Sequence, residues 1–199
     1  GDTAFSAAIA NDGNGYPNIQ AVADPASIRQ HGWRRDTASV IANGYMLDGS
    51  PCPVDPRHVL AQAEARLRKL GYTAKVALEY EFGIFHADHA LMQKGRYREL
   101  QPWGHSLVNY DLVRSGDYQD LVSEFMRRME SLGIGVASFV TEYGYGMYEF
   151  ALTPKPAVEA ADDAMRAKLH LRELCAERGL VATFMTRFQP PGKESACGA

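Results

Sequence analysis

The sequence predicts an α+β fold, in which a mainly antiparallel sheet is flanked by helices. Two short apolar segments within residues 134–152 are joined by glycines, which is typical of a hairpin. Amphipathic helical patterns run from Pro56 to the glycine at 71, over about 117–132, and from near Pro156 to the glycine at 179. The elements do not alternate in a strict βαβ rhythm, so a doubly wound parallel sheet is not favoured.

The amino-acid composition excludes several classes of protein. The 199 residues are 46% hydrophobic and 23% charged, with a net charge of −3, so we expect part of one globular domain and no nucleic-acid partner. No apolar run of about 18 residues exists, and the N-terminus lacks the pattern of a signal peptide, so we expect no membrane span. Three widely spaced cysteines fit reduced thiols in a cytoplasmic protein.

The first half of the chain contains a predicted strand and a predicted helix. Residues 11–20 are rich in turn-forming Asn, Asp, Gly and Pro, and a β-branched strand is expected around Ala38–Ile41. Asp55 followed by Pro56 is typical of a helix start. An inward stripe is predicted on this helix, formed by Val59, Leu60, Ala63, Leu67 and Leu70.

The second half contains the hairpin and two more helices. Residues 86–116 are expected to be irregular. The helix over 117–132 is predicted to bury one apolar face, formed by Tyr118, Leu121, Val122, Phe125, Met126 and Met129. The segment "LVATFMTRF" after the long third helix is expected to be a last strand.

Acidic residues interrupt the apolar strands. Glu79 and Glu81, in "ALEYEFGIF", would share one face of a strand, where like charges repel and burial is costly. Glu142 and Glu149 lie seven residues apart across a glycine-containing turn and are expected to face one another in a hairpin. Four such acids suggest oxygen ligands for Mg²⁺ or Mn²⁺, whose charge would offset the repulsion. An exposed strand edge with solvated glutamates is the alternative, and spacing leaves both interpretations open.

Three segments in the same order resemble signatures of the glutamine synthetase family. "ALEYEFGIF" resembles its Glu-x-Glu-Phe strand, "EYGYGMYEF" its Glu-x-x-Pro-Gly-Gln-x-Glu hairpin, and "GLVATFMTRFQPPGKESACGA" its Thr-Phe-Met strand and the loop that follows. "PNIQAVADPASIRQHGWRRDTASVI", "DGSPCPVDPRHVLAQAEARLRKLGY" and "PAVEAADDAMRAKLHLRELCAERGL" resemble further segments of the family. The resemblance therefore covers essentially the whole chain.

The resemblance implies an activity and a set of ligands. Glutamate would be phosphorylated on its γ-carboxylate by ATP and then attacked by ammonia or an amine. Two ions, Mg²⁺ or Mn²⁺, would be bound: Glu81, Glu142 and Glu149 would hold the ion nearer glutamate, and Glu79 the ion nearer ATP. Glu81 and Glu142 would thereby contribute to binding substrate. The backbone of Ser195 and Ala196 would contact the same substrate.

Several positions depart from the family's pattern. Met147 stands where the family usually has glutamine, and Tyr145 replaces the proline of the same motif. Thr186 and Arg187 stand in place of a Pro-Lys pair. A more apolar pocket would suit a larger amine, so we expect a γ-glutamyl-amide ligase. The alternative is a catalytically silent relative that keeps the fold in a structural or regulatory role.

The resemblance also implies parts that this chain lacks. A small β-grasp domain would precede residue 1, and a histidine metal ligand would follow Ala199. We therefore expect the chain to be a portion of a longer protein that assembles into a homo-oligomeric ring.

Other residues that suggest chemistry are interpreted as structural. His86, Asp88 and His89 resemble a metal cluster, but no further ligand lies nearby and a surface loop is expected. Cys175 falls on the inward stripe of a helix and is expected in the core. Cys197 has no evident basic activator.

Overall fold

The structure, a computed structural model, describes residues 6–105 and 108–188. The strands of that part are β1 (Ser6–Ala7), β2 (Ala10–Asn11), β3 (Gln20–Ala23), β4 (Arg29–Gln30), β5 (Ala38–Ser39), β6 (Ala42–Tyr45), β7 (Lys75–Val76), β8 (Glu79–His86), β9 (Val136–Thr141), β10 (Met147–Leu152), β11 (Lys155–Pro156) and β12 (Leu180–Thr183). Its α-helices are α1 (Pro56–Lys69), α2 (His89–Gln93), α3 (Gln119–Ser131) and α4 (Ala157–Glu177). Single 3₁₀ turns lie at Pro25–Ser27, Tyr97–Glu99 and Ser115–Tyr118.

A four-stranded antiparallel sheet forms the centre of the fold, and this confirms the predicted α+β class. Its order is β12-β8-β10-β9, and each neighbouring pair runs antiparallel. Helices α3 and α4 cover one face of this sheet. The core between them is apolar and includes Phe82, Ile84, Phe125, Met129, Phe150, Leu171 and Leu174. Because the helices cover only this face, the other face of the sheet is left for the charged side chains of the strands.

Helix α1 begins where the sequence predicts, but most of its apolar stripe faces solvent. The side chain of Asp55 accepts a hydrogen bond from the backbone N–H of His58 at 2.9 Å, which caps the helix. Most of the predicted stripe is exposed, with Val59 at 50% and Leu70 at 72%, and only Leu60 of its five residues is partly buried. Polar contacts hold α1 to α4 instead, among them a hydrogen bond from the backbone N–H of Ala157 to a Glu64 carboxylate oxygen.

Helices α3 and α4 follow their predicted patterns closely. On α3, Leu121, Phe125 and Met129 are at most 2% exposed, as expected. Met126 departs from the prediction, since it is 38% exposed at the border of the stripe. Gly133 ends this helix with a φ of +72°, a conformation that favours glycine.

Two loop predictions are corrected in detail. The strand expected around residues 38–41 is divided into β5 and β6, because the backbone of Ile41 bonds instead to the Pro25–Ser27 turn and its N-terminal neighbour Asp24. The region 86–116 is not wholly irregular, since it contains α2 and two 3₁₀ turns. Within the described ranges, no helix is both long and apolar enough to span a bilayer.

Ion pairs attach the N-terminal strands to α4. Arg57 donates to Asp162 at 3.0 Å, to Asp24 at 2.8 Å and to the side-chain oxygen of Asn43 at 2.7 Å. The carboxylate of Glu177, near the end of α4, pairs with Arg34 at 3.0 Å. The Arg57–Asp162 and Arg34–Glu177 pairs each join residues more than 100 positions apart in sequence, and the contacts of Arg57 are partly buried.

Candidate functional site

The face of the sheet that points away from α3 and α4 carries the acidic residues. On β8 the side chains alternate, and Tyr80, Phe82 and Ile84 pack toward the helices. Residues at the intervening positions therefore point to the other face, and these include Glu79 and Glu81. We call this surface the acid face.

Strand register brings the four predicted glutamates onto the acid face. Glu149 on β10 lies directly opposite Glu81 on β8, and Ala151 lies opposite Glu79. The backbone N–H of Glu142 donates to the carbonyl of Met147 at 2.9 Å, which extends the β9–β10 ladder by one pair. Glu142 therefore has the same orientation as the other three acids.

The expectation that Glu142 and Glu149 face one another is wrong. Glu142 pairs with Met147, and the partner of Glu149 on β9 is Val140. The turn over 143–146 is short, so the ladder places Glu142 and Glu149 in adjacent rows. Glu142 and Glu149 are therefore diagonal neighbours. The acid directly opposite Glu149 is Glu81.

Electrostatics show that the four carboxyl groups interact. Burial raises the pKa of Glu149, and the charges of Glu142, Glu79 and Glu81 raise it further, in that order. Like charges on one sheet face disfavour full ionisation, whereas a bound cation would favour it. The four carboxylates therefore repel one another when ionised, and a bound divalent cation would offset this repulsion.

The donor set fits a hard divalent cation in chemistry but is not closed around one point. Carboxylate oxygens are the ligands that Mg²⁺ and Mn²⁺ prefer. Among residues 6–105 and 108–188, however, no three His, Cys, Asp or Glu side chains converge closely enough to hold an ion. The strand register therefore places the four carboxylates on one face without bringing them to a common point.

The turn that connects the two strands of the hairpin requires a glycine. Gly146 has a φ of +71°, and a Cβ at this position would lie 2.6 Å from the carbonyl oxygen of Ile84. The backbones of the same two residues also form a hydrogen bond, since the Ile84 N–H donates to the Gly146 carbonyl at 2.8 Å. This close approach positions the start of β10, and with it Glu149, against β8.

Sequence reasoning missed two neighbours of the acids, Gly83 and Phe188. A Cβ on Gly83 would lie 2.8 Å from the ring of Phe188, so the glycine makes room for an aromatic side chain on the acid face. A glycine inside an otherwise apolar strand is the signal that indicates such a close approach.

The remaining predicted residues lie elsewhere. Ser195, Ala196 and Cys197 fall outside the described residues. Asp88 caps α2 by accepting from the Leu91 N–H at 3.0 Å, which agrees with the structural interpretation of the histidine cluster. Cys175 is fully buried in the core, as expected.

Comparison with known proteins relates this arrangement to characterised families. Residues 53–196 match the family model described as "Glutamine synthetase, catalytic domain". Over 174 residues the chain is 30% identical to glutamate–isopropylamine ligase of Pseudomonas sp, an alignment that covers 87% of this chain and 38% of that protein. It is 31% identical to gamma-glutamylethanolamide synthetase of Streptomyces coelicolor over 174 residues, covering 87% of this chain and 38% of the relative.

Structural comparison gives the same grouping. A solved structure of GmaS in complex with ADP matches with a TM-score of 0.74 and 25% sequence identity. The match covers 92% of this chain and 39% of the GmaS chain. This chain therefore spans about two fifths of the length of the relatives that it resembles.

Proposed function

We propose, because this chain belongs to the glutamine synthetase family, that the protein containing it is an ATP-dependent ligase. The protein would join the γ-carboxylate of glutamate to ammonia or, by preference, to a larger amine. The observation that carries the proposal is the acid face, where Glu149 lies opposite Glu81 and its pKa is raised by burial and then by three further carboxylates.

The acid face would hold the divalent cations that this chemistry needs. Glu81, Glu142 and Glu149 would bind one Mg²⁺ or Mn²⁺, and Glu79 would contribute to a second site nearer ATP. Such ions supply positive charge that stabilises the transferring phosphoryl group. The protein's own contribution is to keep four carboxylates on one rigid sheet face, held by paired backbone hydrogen bonds on both sides of β10.

The proposed reaction has two steps. An oxygen of the glutamate γ-carboxylate attacks the terminal phosphorus of ATP, and the bond to ADP breaks to give γ-glutamyl phosphate and ADP. The amine nitrogen then attacks the acyl carbon, phosphate leaves with the electron pair of the C–O bond, and the nitrogen loses a proton. Positioning of anions is the main task of the site in such transfers.

The proposed preference for a larger amine over ammonia rests on a residue at the start of the second strand of the hairpin. Met147, which stands where the family usually has glutamine, is 2% exposed and lies on the acid face beside Glu142. A thioether there is only a weak hydrogen-bond acceptor, whereas the amide of glutamine could both donate to and accept from a small polar substrate such as ammonia. One relative is named as a ligase of glutamate and isopropylamine and another as a synthetase of gamma-glutamylethanolamide, which supports the same preference.

A product assay on the full-length protein tests the proposal. With ATP, Mn²⁺, glutamate and hydroxylamine, we expect γ-glutamyl hydroxamate, and with alkylamines we expect amine-dependent release of ADP. Absence of product across ammonia, alkylamines and arylamines would contradict the ligase and favour the catalytically silent relative.

Metal binding is tested separately. We expect Glu81→Gln to abolish tight Mn²⁺ binding measured by calorimetry, because it removes a ligand from the centre of the acid face. Glu130→Gln, which changes an exposed glutamate on α3, serves as the matched control. Unchanged Mn²⁺ titration in Glu81→Gln would refute the assignment.

Assembly and location are part of the same proposal. We expect the full-length protein to form a homo-oligomeric ring in the cytoplasm. Mass photometry of the purified full-length protein would reveal a monomer if the ring is wrong, and fractionation would reveal another compartment.

A further inference from the structure

An aromatic ring lies directly on the acid face, and a glycine makes this possible. Gly83 is at an acid-face position of β8, two residues after Glu81. A Cβ built on Gly83 would lie 2.8 Å from Cζ of Phe188 and 2.9 Å from Cε2 of Phe85. These distances are shorter than real contacts allow, so any side chain at this position would displace the rings.

The ring of Phe188 is held from a second direction. Its centroid lies 5.3 Å from that of Phe85, with an interplanar angle of 80°, which is a favourable edge-to-face contact. Phe85 is itself only 7% exposed. Phe188 therefore lies over β8 at Gly83, and along the strand this is about 7 Å from Glu81.

Met147 extends the apolar row to the neighbouring strand, where it is buried. It lies directly opposite Gly83 on β10 and is 2% exposed. The next residue in the same row is Glu142 on β9, since its N–H bonds to the Met147 carbonyl. Phe188, Gly83 and Met147 thus form a row that borders Glu81 and Glu142 and lies at the far end of the acid face from Glu79. We call this row the apolar wall.

We propose that the apolar wall selects the acceptor, and that Phe188 favours an amine with a hydrocarbon substituent over ammonia. The inference rests on the proposed ligase function. A hydrocarbon group against the partly exposed ring of Phe188 would leave water, and the buried Met147 keeps the row apolar, whereas ammonia has no apolar surface to bury there. Gly83 is a positioning residue, because it acts only by admitting the ring of Phe188.

Substitutions in the wall of the full-length protein give the kinetic test. We expect Phe188→Ala to lower kcat/KM for isopropylamine about 10-fold or more relative to kcat/KM for ammonia, since apolar pocket contacts of this size discriminate by about 10- to 200-fold. Gly83→Ala should change the ratio in the same direction, and Phe188→Leu should retain most of the preference. Gly116→Ala is the matched control, because a Cβ there meets no atom within 4 Å.

An unchanged ratio of the two kcat/KM values in Phe188→Ala would overturn the role of the wall, even if the wild type makes the amide. If Gly83→Ala does not fold, Phe188→Ala carries the test alone. In either case the comparison is between two acceptors in one enzyme, so a general loss of activity does not imitate the expected result.

Binding can be measured without turnover. Saturation-transfer NMR should show magnetisation passing from the full-length protein to the methyl protons of isopropylamine, and this signal should fall in Phe188→Ala but not in Gly116→Ala. A transfer signal that depends on Phe188, without amide formation, would contradict the proposed ligase activity but support amine binding at the apolar wall. No difference in transfer between wild type and Phe188→Ala would overturn the wall, whatever the activity.

Discussion

Replacing Glu149 by glutamine should stabilise the metal-free protein and remove its response to metal. The change is nearly isosteric, and it deletes the charge that lies opposite Glu81 and diagonal to Glu79 and Glu142. Wild-type Glu149 is partly buried, and both burial and its three acidic neighbours raise its pKa. The repulsion that the variant relieves is therefore greatest when all four acids are ionised.

The size of the effect follows from the strand register. Opposite and diagonal cross-strand neighbours are about 5–8 Å apart, where two unit charges repel by about 0.2–0.4 kcal/mol after screening by water and physiological salt. Among the three acidic neighbours of Glu149, Glu142 raises its pKa most, followed by Glu79 and Glu81. The free energy of unfolding should thus rise by about 1 kcal/mol, which corresponds to an increase in Tm of no more than about 2–4 °C.

The sign of the pH dependence is fixed by the raised pKa. Protonated Glu149 stabilises the fold fully below its ordinary pKa of 4.5, and this contribution is lost as pH rises through the higher folded value. The advantage of Glu149→Gln should therefore be complete at pH 7.5 and shrink as pH is lowered toward 4.5. With Mn²⁺ the order should reverse, because only the wild type gains stability from the ion.

Thermal unfolding of the full-length protein, in EDTA and in excess Mn²⁺, is the assay. Glu130→Gln controls for loss of an exposed charge elsewhere. A Glu149→Gln variant that is less stable than wild type in EDTA at pH 7.5 would show that repulsion at Glu149 does not destabilise the fold, and an equal gain of Tm from Mn²⁺ in both proteins would show that Glu149 is not a ligand.

Three further predictions concern the frame around the site. Arg57→Ala should lower the free energy of unfolding by about 2–3 kcal/mol in urea, because its charged hydrogen bonds to Asp162 and two other side chains are partly buried. Arg68→Ala, which breaks an exposed pair, should cost less than about 1 kcal/mol. Burial, and then the charge of His170, lowers the pKa of His31 from its ordinary value of 6.5. The neutral imidazole therefore contributes stability above pH 6.5, and this contribution is lost as the pH falls through the lower folded pKa. His31→Phe should lessen the loss of Tm between pH 7 and 5. Burial raises the pKa of the Cys175 thiol to about 12, so the native protein should resist alkylation there at pH 8, as read by peptide mass spectrometry.

A different experimental result would contradict each of these three predictions. Equal costs for Arg57→Ala and Arg68→Ala would show that the buried network is no stronger than a surface pair. A His31→Phe variant with the wild-type pH dependence would assign the acid sensitivity to other groups. Rapid alkylation of Cys175 in the folded protein would show that the core opens at α4.

Local sequence determined the elements and the chemistry of their side chains. Helix α1 begins at Pro56 because Asp55 caps it, and α3 buries Phe125 and Met129 because apolar residues recur at helical spacing. The two-residue period of β8 placed Glu79 and Glu81 on one face without any knowledge of neighbours. These properties depend only on residues a few positions apart, so the sequence is sufficient.

Only the tertiary structure decided which groups meet. The stripe of α1 was expected inside, yet Val59 is half exposed, because periodicity identifies an apolar face and not what covers it. Register placed Glu149 against Glu81 and not against Glu142, since a single short turn shifts every pair along a ladder. The approach of Phe188 to Gly83 joins residues more than 100 positions apart: the glycine within β8 indicates a close approach, but the pairing of β12 with β8 determines that Phe188 makes it.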